Sequence, residues 1–209
     1  MKSDTIAAIA TALSDAGIGI IRISGPEAIA VANRVVVNKK KEHTLKNWQT
    51  HTIHYGFVEE NGTILDEVMV SVMKAPRSYT TEDTVEINCH GGVLLTKRVL
   101  EAVLHAGARM AEPGEFTKRA FLSGRIDLSE AEAVMDLIQA KNQFSMQASI
   151  KQLRGSVAEK VKSLRAALLY EIAFIESALD DPEHISVDGY GETLKKVVDE
   201  NMEAMKRWL

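Results

Sequence analysis

Between Glu112 and Ile138 the chain changes its hydrophobic period, and that change divides what it can fold into. Upstream, Val68, Val70 and Val72 alternate, the mark of a strand with one buried face. Downstream, Ile150, Leu153, Val157, Val161, Leu164, Leu168, Ile172, Ile175 and Leu179 recur at steps of three and four, the period of a helix. The expected fold is therefore α+β. A mixed α/β domain occupies residues 1–118, and an all-α domain occupies residues 119–209. Unbroken, the run from Gln143 to Leu179 is a helix on the order of 50 Å long. Gly155 is a place for it to bend, and Asp180-Asp181-Pro182 stops it. Such a helix needs partners, because packing of its apolar stripe supplies most of its stability.

The transition itself carries helix punctuation. Pro113-Gly114 opens one helix, and Gly124 closes it with a residue that tolerates the left-handed conformation. Arg125 follows. Ser129 is expected to cap the next helix, with Glu132 three residues on completing a capping box. An arginine held between two helix ends is well placed to meet an anion.

In the first domain, Thr5 to Thr11 and Ile18 to Ile23 read as strands around a Ser14–Gly17 turn, and a helix follows from Ala28 to Val37. Thr50 to Val58 and Thr63 to Met73 flank Asn61-Gly62, a strong hairpin signal. Pro76 ends the second of these, and Arg77 to Asp83 reads as an exposed polar loop. Thr84 to His90 places Val85, Ile87 and Cys89 on one face and Glu86, Asn88 and His90 on the other. Gly91-Gly92 leads from it into a helix over Val93 to Ala106, a corner where backbone N–H groups can meet an anion.

Arg22 shares a strand face with Ile18 and Ile20. It is either a strand-edge residue reaching solvent or a charge presented to a ligand. Arg22, Glu86 and Arg125 are charges set on otherwise structural elements. A carboxylate can take two parallel hydrogen bonds from a planar N–C–N edge, and arginines can hold the carboxylates of the same ligand. The set suits a flat, guanidine-like heterocycle with an acidic tail.

Other chemistries find no support. The formal charge of −4 gives no reason to expect a strongly basic nucleic-acid surface, and Lys39-Lys40-Lys41 reads as a solvated loop. Cys89 is the only cysteine, so no internal disulfide forms, and its strand face makes it a small core residue. No Gly-x-x-x-x-Gly-Lys-Ser/Thr loop occurs, and His51 and His54 point to opposite strand faces, which argues against a shared metal. No catalytic residue is assigned. With no secretory h-region and no uncharged apolar run long enough to span a bilayer, a cytoplasmic protein is expected. The last helical pattern runs into Trp208-Leu209 with no stop signal, as expected of a piece of a longer chain.

Thr5-Ile6-Ala7-Ala8-Ile9-Ala10-Thr11, Gly19 through Gly25, Glu86 with Cys89-His90-Gly91-Gly92, and Pro113-Gly114-Glu115-Phe116 through Arg125-Ile126-Asp127-Leu128 to Glu130-Ala131-Glu132-Ala133 stand in order along the chain. Together they closely resemble the N-terminal part of the tRNA-modification GTPase family MnmE (TrmE). The resemblance implies a tetrahydrofolate-binding domain similar to that of aminomethyltransferases, followed by a helical domain that carries an inserted GTPase domain. It implies that Glu86 grips the pterin and that Arg22 and Arg125 fall at the other folate-contacting positions, with 5-formyl- or 5,10-methylene-tetrahydrofolate as cofactor. It also implies a homodimer and, with the FAD protein MnmG, modification of the wobble uridine of tRNA. The alternatives are a free-standing folate-dependent aminomethyl transferase and a non-catalytic dimerisation scaffold.

Two departures from the family pattern stand out. Ala12 to Ala16 lacks the Pro-Pro-Gly-Arg-Gly form of many members, so the loop before Arg22 is expected to differ in shape. The chain also stops near where the GTPase domain begins in the family. GTP, magnesium and potassium therefore belong to a domain outside this sequence, as does the family's Cys-x-Gly-Lys motif, and this polypeptide is expected not to hydrolyse GTP.

Overall fold

The computed structural model describes residues 4–206; the expectation for Trp208-Leu209 lies outside them. The chain divides into two units, the first ending at Ile126 and the second beginning at Asp127, beyond the expected boundary at residue 118.

Among the described residues the first unit has seven strands: β1 (Ile6–Ile9), β2 (Ala16–Ser24), β3 (Val36–Val37), β4 (Thr52–Glu60), β5 (Thr63–Met73), β6 (Thr84–Gly91) and β7 (Arg109–Met110). They form one sheet in the order β3-β4-β5-β6-β2-β1-β7, antiparallel except for the β1–β7 pair. The helices are α1 (Ala28–Val35), α2 (Val93–His105) and α3 (Glu115–Leu122). Side-chain alternation sorts the sheet into two faces. Ile21, Ile23, Val70, Val72, Val85 and Ile87 point inward and are fully buried with Ala28, Val31 and Ala32 of α1 and Val99 and Val103 of α2. The residues between them point the other way, and no helix of the core cluster covers that face.

The expected helix over residues 28–37 ends at Val35, and Val36 and Val37 instead pair with Val58 and Phe57 as a short edge strand. Two β-branched residues buried beside a hairpin favour extended backbone over a last helical turn. The pair Val36–Val37 and the strand Arg109–Met110 are too short to show a period of two in the sequence.

The second unit is helical: α4 (Leu128–Gln139), α5 (Gln143–Leu153), α6 (Ser156–Asp180) and α7 (Tyr190–Lys206). The expected single long helix is two. Gly155 takes φ +76°, a left-handed conformation that ends α5 and opens α6. The 25 residues of α6 span about 37 Å. Phe174 of α6 packs on Tyr190 of α7 with ring centroids 4.5 Å apart, and the Tyr190 hydroxyl donates to the Glu171 carboxylate.

The cap of α4 is Asp127, not Ser129. Its carboxylate accepts from the Glu130 N–H at 2.8 Å, and Glu130 accepts from the Asp127 N–H at 2.8 Å, a complete capping box. The Ser129 hydroxyl donates to the same Asp127 oxygen, so serine supports the cap instead of forming it. Chiefly the Glu130 N–H holds the Asp127 carboxyl below its ordinary pKa. Asp127→Ala is expected to cost about 1 kcal/mol, read as a lower urea midpoint at unchanged slope.

Candidate functional site

Register brings two of the three expected site residues, Arg22 and Glu86, together on the sheet. Arg22 of β2 lies opposite Glu86 of β6, and Glu86 lies opposite Ser71 of β5. The neighbours of Arg22 and Glu86 along their strands, Ile21, Ile23, Val85 and Ile87, are fully buried under the helices. Alternation therefore forces the two charged side chains onto the outward face. Because β2 runs between β6 and β1, Arg22 is on a central strand, and the edge-residue reading fails.

The pair is an ion pair with two donors on one oxygen. Arg22 Nε and Nη2 lie 2.8 and 2.7 Å from Glu86 Oε1. The side chains are 31% and 21% exposed, so the interaction is only partly screened by solvent. Among the described residues, no hydrogen bond reaches Glu86 Oε2. The carboxylate thus keeps one acceptor oxygen for a ligand. The Phe116 ring of α3 lies 5.6 Å from the Arg22 guanidinium carbon, within cation–π range.

Arg125 is positioned by its backbone. α3 ends at Leu122 with Ser123 as its C-cap, and Gly124 takes φ +74°. The Gly124 N–H bonds to Phe121 O at 2.9 Å and the Arg125 N–H to Ala120 O at 3.0 Å, the paired bonds of a Schellman stop. This geometry turns Arg125 back toward the segment after β5. Its Nη1 donates to Tyr79 O at 3.2 Å, and its guanidinium lies 5.0 Å from the Tyr79 ring centre. The Tyr79 hydroxyl is 3.0 Å from Thr117 Oγ1, next in sequence to Phe116. A chain of contacts thus joins Arg22 to Arg125 through Phe116, Thr117 and Tyr79. None of these three was singled out as a site residue from the sequence, because each lacks a charge, although Phe116 and Thr117 lie within the stretch that carries the family resemblance.

The expectation of an exposed loop over Arg77 to Asp83 is corrected. Thr80 is 1% exposed, and its hydroxyl lies 2.6 Å from Ser24 Oγ. Ser24 also donates to Glu82 at 2.9 Å, and Ser78 donates to the Glu82 carbonyl at 2.6 Å. The polar groups bond one another, so a hydroxyl-rich segment can be packed without leaving unpaired groups.

Among the described residues, five charged side chains form a clamp between α3, Asp4 and this segment. Arg119 Nη1 lies 3.0 Å from Glu82 Oε2, and its Nη2 lies 2.8 Å from Asp4 and 3.0 Å from Glu115. Arg109 holds Asp4 at 2.6 Å and Glu115 at 2.7 Å. The Arg109 hydrogen bonds lower the Asp4 and Glu115 pKa values to about 2. The clamp ties α3, and with it Phe116 and Arg125, to the start of the chain and to the segment carrying Tyr79.

The Gly91-Gly92 corner lies at the far end of β6 from Thr84. There the His90 ring and backbone N–H bond to Asp66 at 2.7 and 2.8 Å, which occupies that end with a local contact. Cys89 is 3% exposed and donates to Gly19 O at 3.3 Å, and burial raises the pKa of its thiol, as befits a core residue. Among the described residues no cluster of three or more His, Cys, Asp or Glu side chains could hold a metal ion.

An α/β unit with a paired carboxylate and guanidinium on the outward face of its sheet is followed by a separate helical unit. The family model described as "GTP-binding protein TrmE N-terminus" matches residues 5–125, and that of the "MnmE helical domain" matches residues 128–209. The chain belongs to the MnmE (TrmE) family. It is 58% identical over 195 residues to the tRNA modification GTPase MnmE of Lachnoclostridium phytofermentans, covering 93% of this chain and 43% of that protein. Against the proteins of the same name from Carboxydothermus hydrogenoformans and Bacillus subtilis, identity is 48% and 47%, covering 100% and 98% of this chain and 46% and 44% of theirs. The chain thus spans less than half the length of these curated relatives.

Proposed function

We propose that this chain is the part of a tRNA-modification GTPase that holds a one-carbon tetrahydrofolate and forms a homodimer. The observation that carries the reading is Glu86: a half-buried carboxylate on the outward sheet face, oriented by Arg22 and retaining a free acceptor oxygen. Such an oxygen fits the N–H edge of a pterin, and the guanidinium groups of Arg22 and Arg125 fit its carboxylate tail. The donor set therefore suits the ligand class. The folate supplies the one-carbon unit. The work of this chain is to bind and orient it, with α3 holding Phe116 beside Arg22 and placing Arg125.

The dimer reading rests on the same sheet face. Ile53, Tyr55 and Met69 are 66%, 47% and 49% exposed. Ile53 pairs with Ser71, the neighbour of Glu86, and Tyr55 pairs with Met69, the neighbour of Asn88, so all three lie on the side of the ion pair. A contiguous apolar patch on an uncovered sheet marks an interaction surface. Sedimentation at tens of micromolar is expected to give a dimer mass, and Met69→Lys to shift it toward monomer. A monomeric wild type would remove this part of the reading.

MnmG, tRNA and the guanine nucleotide are partners of the whole protein on this reading, with GTP and its metal ions handled outside this sequence. Among the described residues no helix is long and apolar enough to cross a membrane, and a cytoplasmic site of action accords with the tRNA substrate. Equilibrium dialysis of the chain against 5-formyltetrahydrofolate tests the folate reading. Saturable binding near one ligand per protomer is expected, and its absence would refute the reading.

A further inference from the structure

Seven arginines lie in the first unit. Arg22 is paired with Glu86, Arg34 with Glu27, Arg98 with Glu60 and Glu101, Arg109 with Asp4 and Glu115, and Arg119 with Asp4, Glu82 and Glu115. Among the described residues, Arg77 and Arg125 are the two with no carboxylate partner, and both line the same cavity. It has a volume of about 620 Å³ and lies between the segment after β5 and the end of α3, with His51, Met73, Tyr79 and Ser123 also in its wall. No Asp or Glu contributes to the lining.

The wall's own polar groups are largely engaged inside the protein. Ser78 donates to the Glu82 carbonyl and Ser123 to the Ala120 carbonyl. The guanidinium groups are the charged donors of the wall. Arg125 spends one N–H on Tyr79 O, and no hydrogen bond of the Arg77 side chain occurs among the described residues. Two arginines left without counter-ions in one cavity make a site for an anion, and their planar forks fit carboxylates in particular.

The cavity is next to the candidate folate site. Met73, in its wall, is two residues along β5 from Ser71, the register partner of Glu86. Two residues of strand advance about 7 Å on the same face. Arg125 also touches Tyr79, whose hydroxyl reaches Thr117 beside Phe116, the ring against Arg22.

We propose that this cavity is a subsite for the glutamyl carboxylates of a folate tail, that Arg77 is a specificity residue in it, and that the protein prefers polyglutamylated over monoglutamylated folates. The proposal rests on the folate reading. Each γ-linked glutamate adds a carboxylate, and an anion-lined path would repel it. Here the path carries positive charge only. A partly exposed arginine–carboxylate contact contributes up to about a fivefold gain in affinity.

The test is a calorimetric comparison of 5-formyltetrahydrofolate in its monoglutamyl and triglutamyl forms, with wild type and Arg77→Ala. Arg77 is exposed and makes no side-chain bond among the described residues, so the variant is expected to fold, checked by an unchanged melting temperature. The wild type is expected to bind the triglutamyl form about fivefold more tightly. In Arg77→Ala that ratio falls to near one, and in Arg77→Glu it inverts. Equal affinities in the wild type, or a ratio untouched by Arg77→Ala, would overturn the subsite while leaving the folate reading intact. Failure of the wild type to bind either form would remove both. If tripolyphosphate competes at Arg77 more tightly than free triglutamate, the cavity is a phosphate site and the carboxylate assignment falls.

Discussion

Replacing Arg119 with alanine is expected to lower the stability of the first unit by about 3–5 kcal/mol, a large fraction of what holds a domain folded. Its side chain is 11% exposed and contacts Asp4, Glu82 and Glu115, of which Glu115 is 9% exposed. Alanine removes the guanidinium that these three carboxylates share, while Arg109 still holds Asp4 and Glu115. The cost falls on the buried Glu115 and the partly buried Glu82, since Asp4 is 56% exposed and is solvated without the guanidinium. Thermal unfolding by circular dichroism measures it, and Arg119→Lys should recover only part, because an ammonium cannot reproduce the fork on three partners. The same clamp sets the acid limit. Asp4 and Glu115 titrate near 2 when folded, below their ordinary values of 3.8 and 4.5. Folded pKa values below the unfolded ones mean stabilisation that is full above about pH 5 and drains as pH falls from there toward 2. In the Arg119 variant, less stability should remain to be lost across that window.

Glu86→Ala is expected to reduce affinity for 5-formyltetrahydrofolate by about a hundredfold or more. Truncating one partner of a hydrogen-bonded charge pair in a binding site costs about 2–5 kcal/mol, because the group left behind keeps its desolvation penalty. Here two groups are left: the ligand's N–H edge and Arg22, which loses both of its short contacts to Glu86 Oε1. Glu86→Gln separates charge from shape. It keeps an acceptor oxygen but replaces the second with a donor that faces donors, so it should bind nearly as poorly as alanine. Both variants leave the buried face of β6 unchanged, since Val85, Ile87 and Cys89 carry it. A native melting profile in either variant would therefore assign the loss to binding, not to folding.

The residues of this site differ in how far the sequence reveals them. Glu86 was legible because Val85, Ile87 and Cys89 demand the inner face and leave it only the outer one. The outward direction of Arg22 was legible for the same reason, but its partner was not. β2 and β6 meet across 64 residues, and pairing at that distance is set by the assembled sheet, not by local pattern. The Gly124 stop was local and came out as expected, whereas the cap of α4 moved from Ser129 to Asp127 because two acceptable caps stand two residues apart. The helical period continued through Gly155, so the sequence pattern alone did not distinguish a bend from a break. Tyr79, Phe116 and Arg119 act through contacts that form only when α3 meets β2 and the segment after β5, and no spacing along the chain announces them.

The central claim is that the Arg22–Glu86 face is a folate site. The direct measurement is a pair of calorimetric titrations with 5-formyltetrahydrofolate, one into the wild type and one into Glu86→Ala at the same concentration. The expected result is saturable heat near one ligand per protomer in the wild type and none resolvable in the variant. A wild type that gives no binding heat, or a variant that binds as tightly as the wild type, would contradict the claim.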